Sequence, residues 1–575
     1  MLKLYRFLKP FRILIAAVIL LVFIQTLCDL YLPTLMSDIV DTGIVKGDTG
    51  YILRVGAFML LIAAIGAICS ILVSFLSAKT SIGFGRRLRS KVFDRVEDFS
   101  LQEFNRFGTA TLITRTTNDI NQIQSVTFMI LRMMVSAPTM CIGGIIMALS
   151  KDKSLSMIFL VSMPVIAAII WIIMSKAIPL FKLMQIKLDR LNMVLRENLT
   201  GIRVIRAFNR TEQEHLRFTA ANTDLTDNAV RVNIIMTSMM PGMMLAMNFT
   251  IIAIIWFASI RIDHGQMQVG ALMAFIQYAM QIMTSLIMLS MMFIMVPRAS
   301  AAAVRIDEVL ETTPAIKDSG QPKSHPISQG LLEFKNVSYR FPGAERPALS
   351  NISFTAEPGK TTAIIGGTGS GKTTLVNLIP RFYDVAQGAI LIDGTDIREI
   401  AQTELRTNIG MVPQTAVLFT GTVTENIRYG KIDASDDEVY KAAETAQALE
   451  FIAGMKNGFD SVIEQGGINV SGGQKQRLSI ARALVRRPKI YIFDDSFSAL
   501  DFKTDARLRA ALKKETRTST VLIIAQRIST VIDADLIIVL DDGQIAGMGS
   551  HKQLFASCEV YKEIVYSQLS EEELA

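Results

Sequence analysis

The sequence predicts a domain of six membrane-spanning α-helices with long cytoplasmic helical extensions, followed by an α/β domain. The first observation is composition: half of the 575 residues are hydrophobic and only 19% are charged, which excludes a disordered chain. The second is charge. Residues 1–330 carry 32 Lys and Arg against 21 Asp and Glu, a net of +11, whereas residues 331–575 carry 27 against 31, a net of −4. The whole-chain charge of +7 therefore belongs to the first part, and no nucleic-acid partner is expected.

The third observation is a set of six apolar runs, each long enough to cross a bilayer core, which takes about 20 helical residues. They are residues 13–35, 56–78, 127–149, 155–178, 235–260 and 269–296. Lys and Arg concentrate before the first run and in the connections after the second and fourth. Because such residues favour the cytoplasmic side, we expect both termini in the cytoplasm. Helical hairpins in those two connections would reach about 35 Å from the membrane.

A Pro- and Gly-rich stretch divides the chain. Residues 311–330 are interpreted as a linker, which leaves 1–310 as the membrane domain and 331–575 as the α/β domain. Beyond the linker, short β-like runs alternate with helical segments, as is typical of an α/β fold.

A glycine-rich loop between a strand-like and a helix-like run predicts a phosphate-binding site. It consists of Gly366, Gly367, Thr368, Gly369, Ser370, Gly371, Lys372 and Thr373, and Thr374 follows it. The glycines would let backbone N–H groups face phosphates, Lys372 would reach the β- and γ-phosphates, and Thr373 would ligate Mg²⁺. The strand–loop–helix context makes an ordinary glycine-rich turn a weak explanation.

Two further segments have a bland and a functional interpretation. Asp494 ends the apolar run Ile490–Phe493 and is a candidate Mg²⁺-side acid. Ser471, Gly472, Gly473 and Gln474 open a helix; they would present N–H groups to a phosphate, or only cap the helix.

With these motifs, nearly the whole chain resembles an ATP-binding cassette (ABC) exporter half-transporter, in which six helices are fused to one α/β P-loop ATPase domain. The resemblance makes Ser471–Gln474 the signature that faces the ATP of a partner chain. It places Gln414 in the Q-loop, residues 498–501 in the D-loop and Phe341 at the adenine ring. It also implies ATP as ligand, Mg²⁺ held by Thr373, Gln414 and Asp494, and cytoplasmic coupling regions at 108–119 and 197–208. A second chain is required, because the family's ATP sites form between two cassettes.

Two residues depart from the family's pattern. The family usually has Glu after the strand-ending Asp, whereas this chain has Asp495, and the family's switch histidine is replaced by Gln526. Aspartate holds its carboxylate one methylene, about 1.5 Å, farther back, and glutamine cannot become cationic as histidine can. We therefore expect the degenerate-site subunit of a heterodimeric bacterial multidrug exporter, whose partner keeps Glu and His. A homodimer with two weakened sites is the alternative.

The substrate is less constrained. Fourteen of the 30 methionines lie between Met236 and Met295, which suits a promiscuous cavity for small amphipathic molecules or, with equal weight, lipid-facing and core packing. Gln277, Gln281 and Asn248 are candidate cavity residues, and Asp29 and Arg132 are charged residues inside the runs, both expected near outer ends.

Other classes are considered too. A lipid or peptide exporter of the same fold stays open as the alternative. A soluble ATPase is excluded by the six runs, an importer is disfavoured because its two parts usually lie on separate chains, and ATP-gated current would identify a channel.

Overall fold

The computed structural model describes residues 3–318 and 327–568, which form two compact units. The first unit contains residues 3–97 and 108–312, and the second contains residues 98–107 and 313–318 together with 327–568. The predicted linker, 311–330, lies partly outside the described residues. Its first residue, Glu311, is still helical, and the chain is described again from Ile327.

The first unit is entirely helical. A 3₁₀-helix at Leu4–Phe11 precedes α1, and π-helical turns lie at Ile39–Ile44 and Arg115–Asp119. Its α-helices are α1 (Arg12–Asp38), α2 (Thr49–Glu97), α4 (Thr109–Thr114), α5 (Ile120–Lys151), α6 (Lys153–Thr200), α7 (Ile202–Ala207), α8 (Thr211–Thr237), α9 (Met239–Asp263) and α10 (Val269–Glu311), while α3 (Leu101–Phe107) belongs to the second unit.

Within residues 3–318 and 327–568, six helical segments are long and apolar enough to cross a membrane, which confirms the predicted membrane domain. They are Leu4–Ile44, Thr49–Glu97, Thr109–Lys151, Lys153–Thr200, Thr211–Asp263 and Val269–Glu311, each longer than the predicted apolar run. At 1.5 Å per residue, a helix such as α6 is about 70 Å long, whereas a bilayer core takes only about 30 Å. The remaining length is the expected helical extension.

Close helix packing in the first unit depends on two glycines of α5. A Cβ atom at Gly143 would clash with Leu30 Cδ1 of α1, and one at Gly144 would lie 2.8 Å from Ile282 Cγ1 of α10. At the C-terminal ends of α1 and α5, the Lys151 ammonium lies 3.8 Å from the Asp38 carboxylate. Helices α1 and α5 are therefore parallel, with Leu30 level with Gly143.

Ion pairs fix the ends of other helices in this unit. Asp152 caps α6 by accepting from Leu155 N at 2.9 Å, and its second oxygen accepts from Arg261 Nε of α9 at 2.8 Å. Near the C-terminal end of α10, Arg305 donates twice to Asp119, which directly precedes α5, at 2.8 and 2.5 Å. Asp119 is 3% exposed, so this buried carboxylate depends on the guanidinium.

The second unit contains three sheets. The main sheet has the order β12–β11–β3–β10–β9–β6, in which only β12 is antiparallel to its neighbour; a four-stranded antiparallel sheet has the order β2–β1–β4–β5, and β7 pairs with β8. The strands are β1 (Leu332–Tyr339), β2 (Leu349–Ala356), β3 (Thr361–Gly366), β4 (Gln387–Ile392), β5 (Thr395–Asp396), β6 (Ile409–Val412), β7 (Gly421–Thr422), β8 (Val462–Ile463), β9 (Ile490–Asp494), β10 (Thr520–Ile524), β11 (Leu536–Asp541) and β12 (Gln544–Gly549).

Helices cover the main sheet, whose central strands β9 and β10 are buried throughout, as is usual for parallel sheets. The helices are α11 (Lys372–Leu378), α12 (Gln402–Thr407), α13 (Val423–Arg428), α14 (Asp436–Thr445), α15 (Leu449–Ala453), α16 (Gly472–Val485), α17 (Phe502–Glu515), α18 (Ile528–Val531), α19 (His551–Ser557) and α20 (Glu559–Tyr566).

Residues 98–107, which the sequence assigns to the membrane domain, pack with the second unit. The Glu103 carboxylate caps α3 by accepting from Ser100 and also accepts from Ala315 N at 3.2 Å. Asn105 Nδ2 lies 3.5 Å from the Tyr383 hydroxyl. The contacts with Ala315 and Tyr383 join residues more than 200 positions apart, so local sequence patterns do not reveal them.

Candidate functional site

Four segments singled out in the sequence follow neighbouring parallel strands. The glycine-rich loop follows β3, Gln526 follows β10, Asp494 ends β9 and Gln414 follows β6. Because the carboxyl ends of parallel strands meet at one edge of a sheet, all four segments lie along that edge. This is the edge at which open α/β sheets bind their ligands.

The loop from Gly366 to Thr373 has the backbone that its glycines predict. Gly369 and Gly371 have φ of +84° and +95°, and a Cβ atom at Gly371 would lie 2.9 Å from Ala348 O. Thr368 and Gly369 form its turn, which Ser370 N closes by donating to Gly367 O at 3.3 Å, and Thr374 lies in the first turn of α11. The loop therefore curves tightly into that helix.

Lys372 lies across this loop. Its ammonium donates to Gly366 O at 2.9 Å and to Gly367 O at 2.6 Å. Burial lowers the pKa of Lys372, while the charges of Asp495 and Asp494 oppose that effect. The Lys372 ammonium therefore places a positive charge where the sequence predicts a bound phosphate.

Thr373 and Asp494 provide a candidate metal site. The Thr373 hydroxyl donates to Asp494 Oδ1 at 3.3 Å, and Asp494 is 2% exposed. Burial raises the pKa of Asp494, and Thr373 and Lys372 partly offset this. A hydroxyl and a carboxylate are hard oxygen donors of the kind Mg²⁺ uses, so these residues fit the ion.

The two residues that depart from the family's pattern contact each other. Gln526 Nε2 donates to Asp495 Oδ2 at 3.1 Å. Burial raises the pKa of Asp495, whereas hydrogen bonds from Gln414 and Ser498 lower it. Asp495 also has a φ of +46°, a left-handed backbone uncommon for a residue with a side chain. Gln414, Asp495 and Gln526 therefore form one polar cluster beside Asp494.

The structure adds a residue that the sequence does not indicate. Gln568, which follows α20, donates from Nε2 to Gln526 O at 2.7 Å and accepts from Ile528 N at 2.9 Å. One carboxamide therefore holds the backbone on both sides of Arg527. Its partners are about 40 positions away, and no motif marks it.

Phe341 lies in the loop that joins β1 to β2. Its ring meets Tyr339 and Tyr383 edge-on, with centroids 5.0 and 5.7 Å away, and 39% of the residue remains exposed. Burial, and secondly Tyr383, raises the pKa of Tyr339 to about 12. The two tyrosines thus hold the Phe341 ring in place for stacking.

The Ser471–Gln474 segment begins α16 with a reciprocal cap. Ser471 Oγ accepts from Gln474 N at 3.3 Å, and Gln474 Oε1 accepts from Ser471 N at 2.8 Å. The capped-helix interpretation is therefore realised. The phosphate interpretation is compatible with it, because Ser471 and Gly472 are exposed and nothing lies within 4 Å of a Cβ placed at Gly472.

In the first unit, Asp29 and Arg132 line the same cavity, which has a volume of about 800 Å³ and walls from α1, α2, α5 and α10. The expectation that Asp29 and Arg132 both lie near outer ends is wrong. Arg132 is 19 residues before Lys151, which contacts the C-terminal end of α1, whereas Asp29 is only nine residues before Asp38. Because α1 and α5 run in the same direction, only one of the two residues can lie near an outer end.

The methionine-rich stretch divides between cavity and packing. Met288 and Met295 line the cavity, as does Gln281, whereas Met239, Met243 and Met283 pack against Ile166 in a separate core. Gln277 and Asn248 are exposed and do not line it. Packing therefore accounts for part of the cluster.

Comparison with known proteins agrees with this fold. The description "ABC transporter transmembrane region" matches residues 15–286, and "ABC transporter" matches residues 349–498. The chain belongs to the ABC transporter family: it is an exporter half-transporter whose cassette binds ATP and couples ATPase activity to transport.

An uncharacterized ABC transporter ATP-binding protein from Mycobacterium tuberculosis is 44% identical over 97% of both chains. An ATP-dependent lipid A-core flippase from Chromobacterium violaceum is 31% identical, over 93% of this chain and 92% of its own. A solved bacterial Atm1-family ABC exporter with ATP bound is 27% identical with a TM-score of 0.81, covering 97% of this chain and 99% of its own. The six spans and these bacterial relatives indicate a multi-pass protein of a bacterial inner membrane.

Proposed function

We propose that this chain is the subunit with the slow ATP site in a heterodimeric exporter of amphipathic, drug-like molecules. The observation that carries the proposal is the hydrogen bond between Gln526 and Asp495. The two departures from the family's pattern are neighbours in one cluster, so one functional cause accounts for both. Both termini lie in the cytoplasm in this proposal.

The cluster is poorly suited to activating water. The shorter Asp495 side chain holds its carboxylate about 1.5 Å farther back than glutamate would, and an error of about 1 Å in position can cost on the order of 100-fold in rate. One of its oxygens already accepts from Gln526. A carboxamide also stays neutral where a histidine could become cationic beside a phosphate.

Nucleotide binding remains supported by the rest of the site. Lys372 and the loop amides would face the phosphates, Phe341 would stack on adenine, and Thr373, Gln414 and Asp494 would hold Mg²⁺. When bound, Mg²⁺ would neutralise phosphate charge. In this proposal the chain's own site binds ATP and hydrolyses it slowly.

Two exposed surfaces support a partner chain. The Ser471–Gln474 segment keeps the family's signature sequence and would complete the partner's ATP site. The end of α6, α7 and the turn after it expose apolar side chains, Leu199 at 72%, Val204 at 60% and Phe208 at 73%. Exposed apolar patches of this kind mark contact surfaces, and this one lies in the region that the resemblance makes a coupling region. The partner then keeps Glu and His and supplies the fast site.

The ATPase rate of the purified chain, alone and after co-expression with the half-exporter of the neighbouring gene, tests the proposal. We expect little turnover alone and a high rate for the pair. In the pair, Asp495→Ala should change the rate little, whereas removal of the partner's Glu should abolish it. Rapid turnover by this chain alone that is lost in Asp495→Ala would refute the heterodimer.

A lipid exporter, homodimeric or heterodimeric, is the second candidate, favoured by the similarity to a protein named as a lipid A-core flippase. The cavity has hydroxyl, amide, charged and apolar side chains, which suits either substrate class. Transport assays in vesicles with a fluorescent lipid and with a fluorescent cationic dye separate the two. If the chain moves the lipid but not the dye, the substrate is a lipid and not a drug-like molecule.

A further inference from the structure

The cavity of the first unit contains two opposite charges that do not pair. Asp29 and Arg132 are the charged residues among its described lining, and neither makes an ion pair within the described part of the chain. The guanidinium of Arg132 lies over the Phe128 ring, 5.6 Å from its centroid. Unpaired charges are costly among membrane helices and are retained where a ligand or a pathway uses them.

The helix register gives the separation of the two residues along the axes of α1 and α5. Leu30 of α1 is level with Gly143 of α5, where a Cβ atom would clash with the leucine. Asp29 therefore lies one residue, and Arg132 eleven residues, on the N-terminal side of that level. Ten helical residues separate them, about 15 Å at 1.5 Å per residue. The contact between Lys151 and Asp38 gives the same separation.

The two ends of this stretch present different chemistry. Near Asp29, Gln281 donates to the backbone oxygen of Asp29 at 3.0 Å, and its own Oε1 is buried with no hydrogen-bond partner in the described residues. A carboxylate and a spare amide oxygen suit an ammonium group, which has three donors. At the other end, the Arg132 guanidinium suits a carboxylate or phosphate. Between these levels the lining is mixed, with apolar side chains at Val22, Met133 and Met140 and polar ones at Gln25, Thr26 and Ser136.

We propose that the cavity binds an elongated amphipathic molecule with an ammonium at Asp29 and a carboxylate or phosphate at Arg132, joined by an apolar chain about 15 Å long. This rests on the proposed function, because it makes the cavity the substrate site of the exporter. It narrows the substrate from amphipathic molecules in general to those with separated opposite charges.

The probe for the test is 12-aminododecanoate, whose charged ends lie about 15 Å apart when extended. Dodecanoate and dodecylamine each keep one charge, and 6-aminohexanoate places both charges about half as far apart. Equilibrium dialysis of radiolabelled probes against the full chain in phosphatidylcholine nanodiscs, corrected with empty nanodiscs and without nucleotide, measures binding alone. A failure of the heterodimer proposal would appear in ATPase rates and leave this assay unaffected.

We expect 12-aminododecanoate to bind at least about tenfold more tightly than the other three probes, because each charged hydrogen bond lost costs about that factor. Asp29→Asn should weaken the binding of 12-aminododecanoate and of dodecylamine but not that of dodecanoate. Arg132→Gln should weaken the binding of 12-aminododecanoate and of dodecanoate but not that of dodecylamine. Asp263→Asn and Lys46→Gln, which remove exposed charges outside the cavity, should change nothing. Equal binding of the four probes by the unmodified chain overturns the proposal, whether or not the variants fold, as does unchanged 12-aminododecanoate binding in both cavity variants.

Discussion

Gln526 Nε2 donates a hydrogen bond to Asp495 Oδ2 at 3.1 Å, so the two positions at which this chain departs from its family's pattern are in direct contact. A change at one position therefore alters the environment of the other. The pair links the chain's sequence to the expected rate of its own ATP site, because glutamate and histidine at these positions would give a longer carboxylate beside a titratable ring.

Restoring both family residues should accelerate hydrolysis. We expect the Asp495→Glu, Gln526→His double variant of the isolated chain to hydrolyse ATP about 10- to 100-fold faster than the unmodified chain, because the carboxylate moves toward the water. The rate gains of the two single variants should combine to less than the gain of the double variant, since the two side chains contact each other. Steady-state phosphate release measures this, and the double variant with Lys372→Ala is the negative control. No gain in the double variant would mean that these residues do not limit the rate.

How much of this site the sequence predicts depends on how far apart along the chain the contacting residues are. The loop at Gly366–Thr373 is one contiguous segment, so its glycines, lysine and threonine indicate both its backbone and its ligand. The six apolar helices are likewise local patterns, because each contains one continuous apolar run. Contacts between distant segments are not predictable in this way, because the residues on each side carry no local signal. Gln568 on the Gln526 backbone and residues 98–107 with the second unit are examples. The level of Arg132 required the helix register, which comes from Gly143 packing on Leu30.

The Thr373–Asp494 pair should control metal-dependent nucleotide binding. Thr373→Ala removes one of the two hard oxygen donors and Asp494→Asn removes the negative charge. We expect each to weaken binding of a fluorescent ATP analogue at least about tenfold with Mg²⁺ present and little in EDTA. Thr407→Ala, on the exposed end of α12, should behave as the unmodified chain does. Equal weakening with and without Mg²⁺ would contradict a metal role.

Phe341 should contribute to ATP affinity through its ring face. Phe341→Ala should weaken ATP binding by about 1 kcal/mol, roughly fivefold, which is the usual size of an aromatic stacking contribution. Phe341→Tyr should keep the affinity, since both rings offer the same face to adenine. Tyr440→Ala, which removes an exposed ring near Phe459, provides a matched control. Isothermal titration with ATP decides this, and unchanged affinity in Phe341→Ala would remove the residue from the site.

Gln568 should order the segment that contains Gln526. Gln568→Ala removes both the donor to Gln526 O and the acceptor for Ile528 N. We expect faster amide hydrogen exchange at residues 526–531, measured by mass spectrometry, without a change in the strands of the main sheet. When Gln568→Ala is added to the Asp495→Glu, Gln526→His double variant, the ATPase kcat should fall about tenfold while KM stays the same, because the introduced imidazole ring loses its position. Ser567→Ala, one residue earlier, should do neither, and unaltered exchange in Gln568→Ala would contradict the positioning role.

Asp119 and Arg305 should contribute strongly to the stability of the first unit. The guanidinium donates two hydrogen bonds to a carboxylate that is 3% exposed. The Arg305 side chain is itself 45% exposed, so water partly replaces it in Arg305→Ala. We therefore expect the free energy of unfolding to fall by about 1.5–3 kcal/mol, with a lower thermal unfolding midpoint of the purified chain in detergent. The paired variant Asp119→Asn, Arg305→Gln removes both charges and should lose less than Arg305→Ala alone, because no uncompensated charge remains. Arg54→Gln, an exposed cation that donates only to a backbone carbonyl four residues earlier, should shift the midpoint little. If the paired variant proves no more stable than Arg305→Ala, the cost arises from lost packing and not from the buried charge.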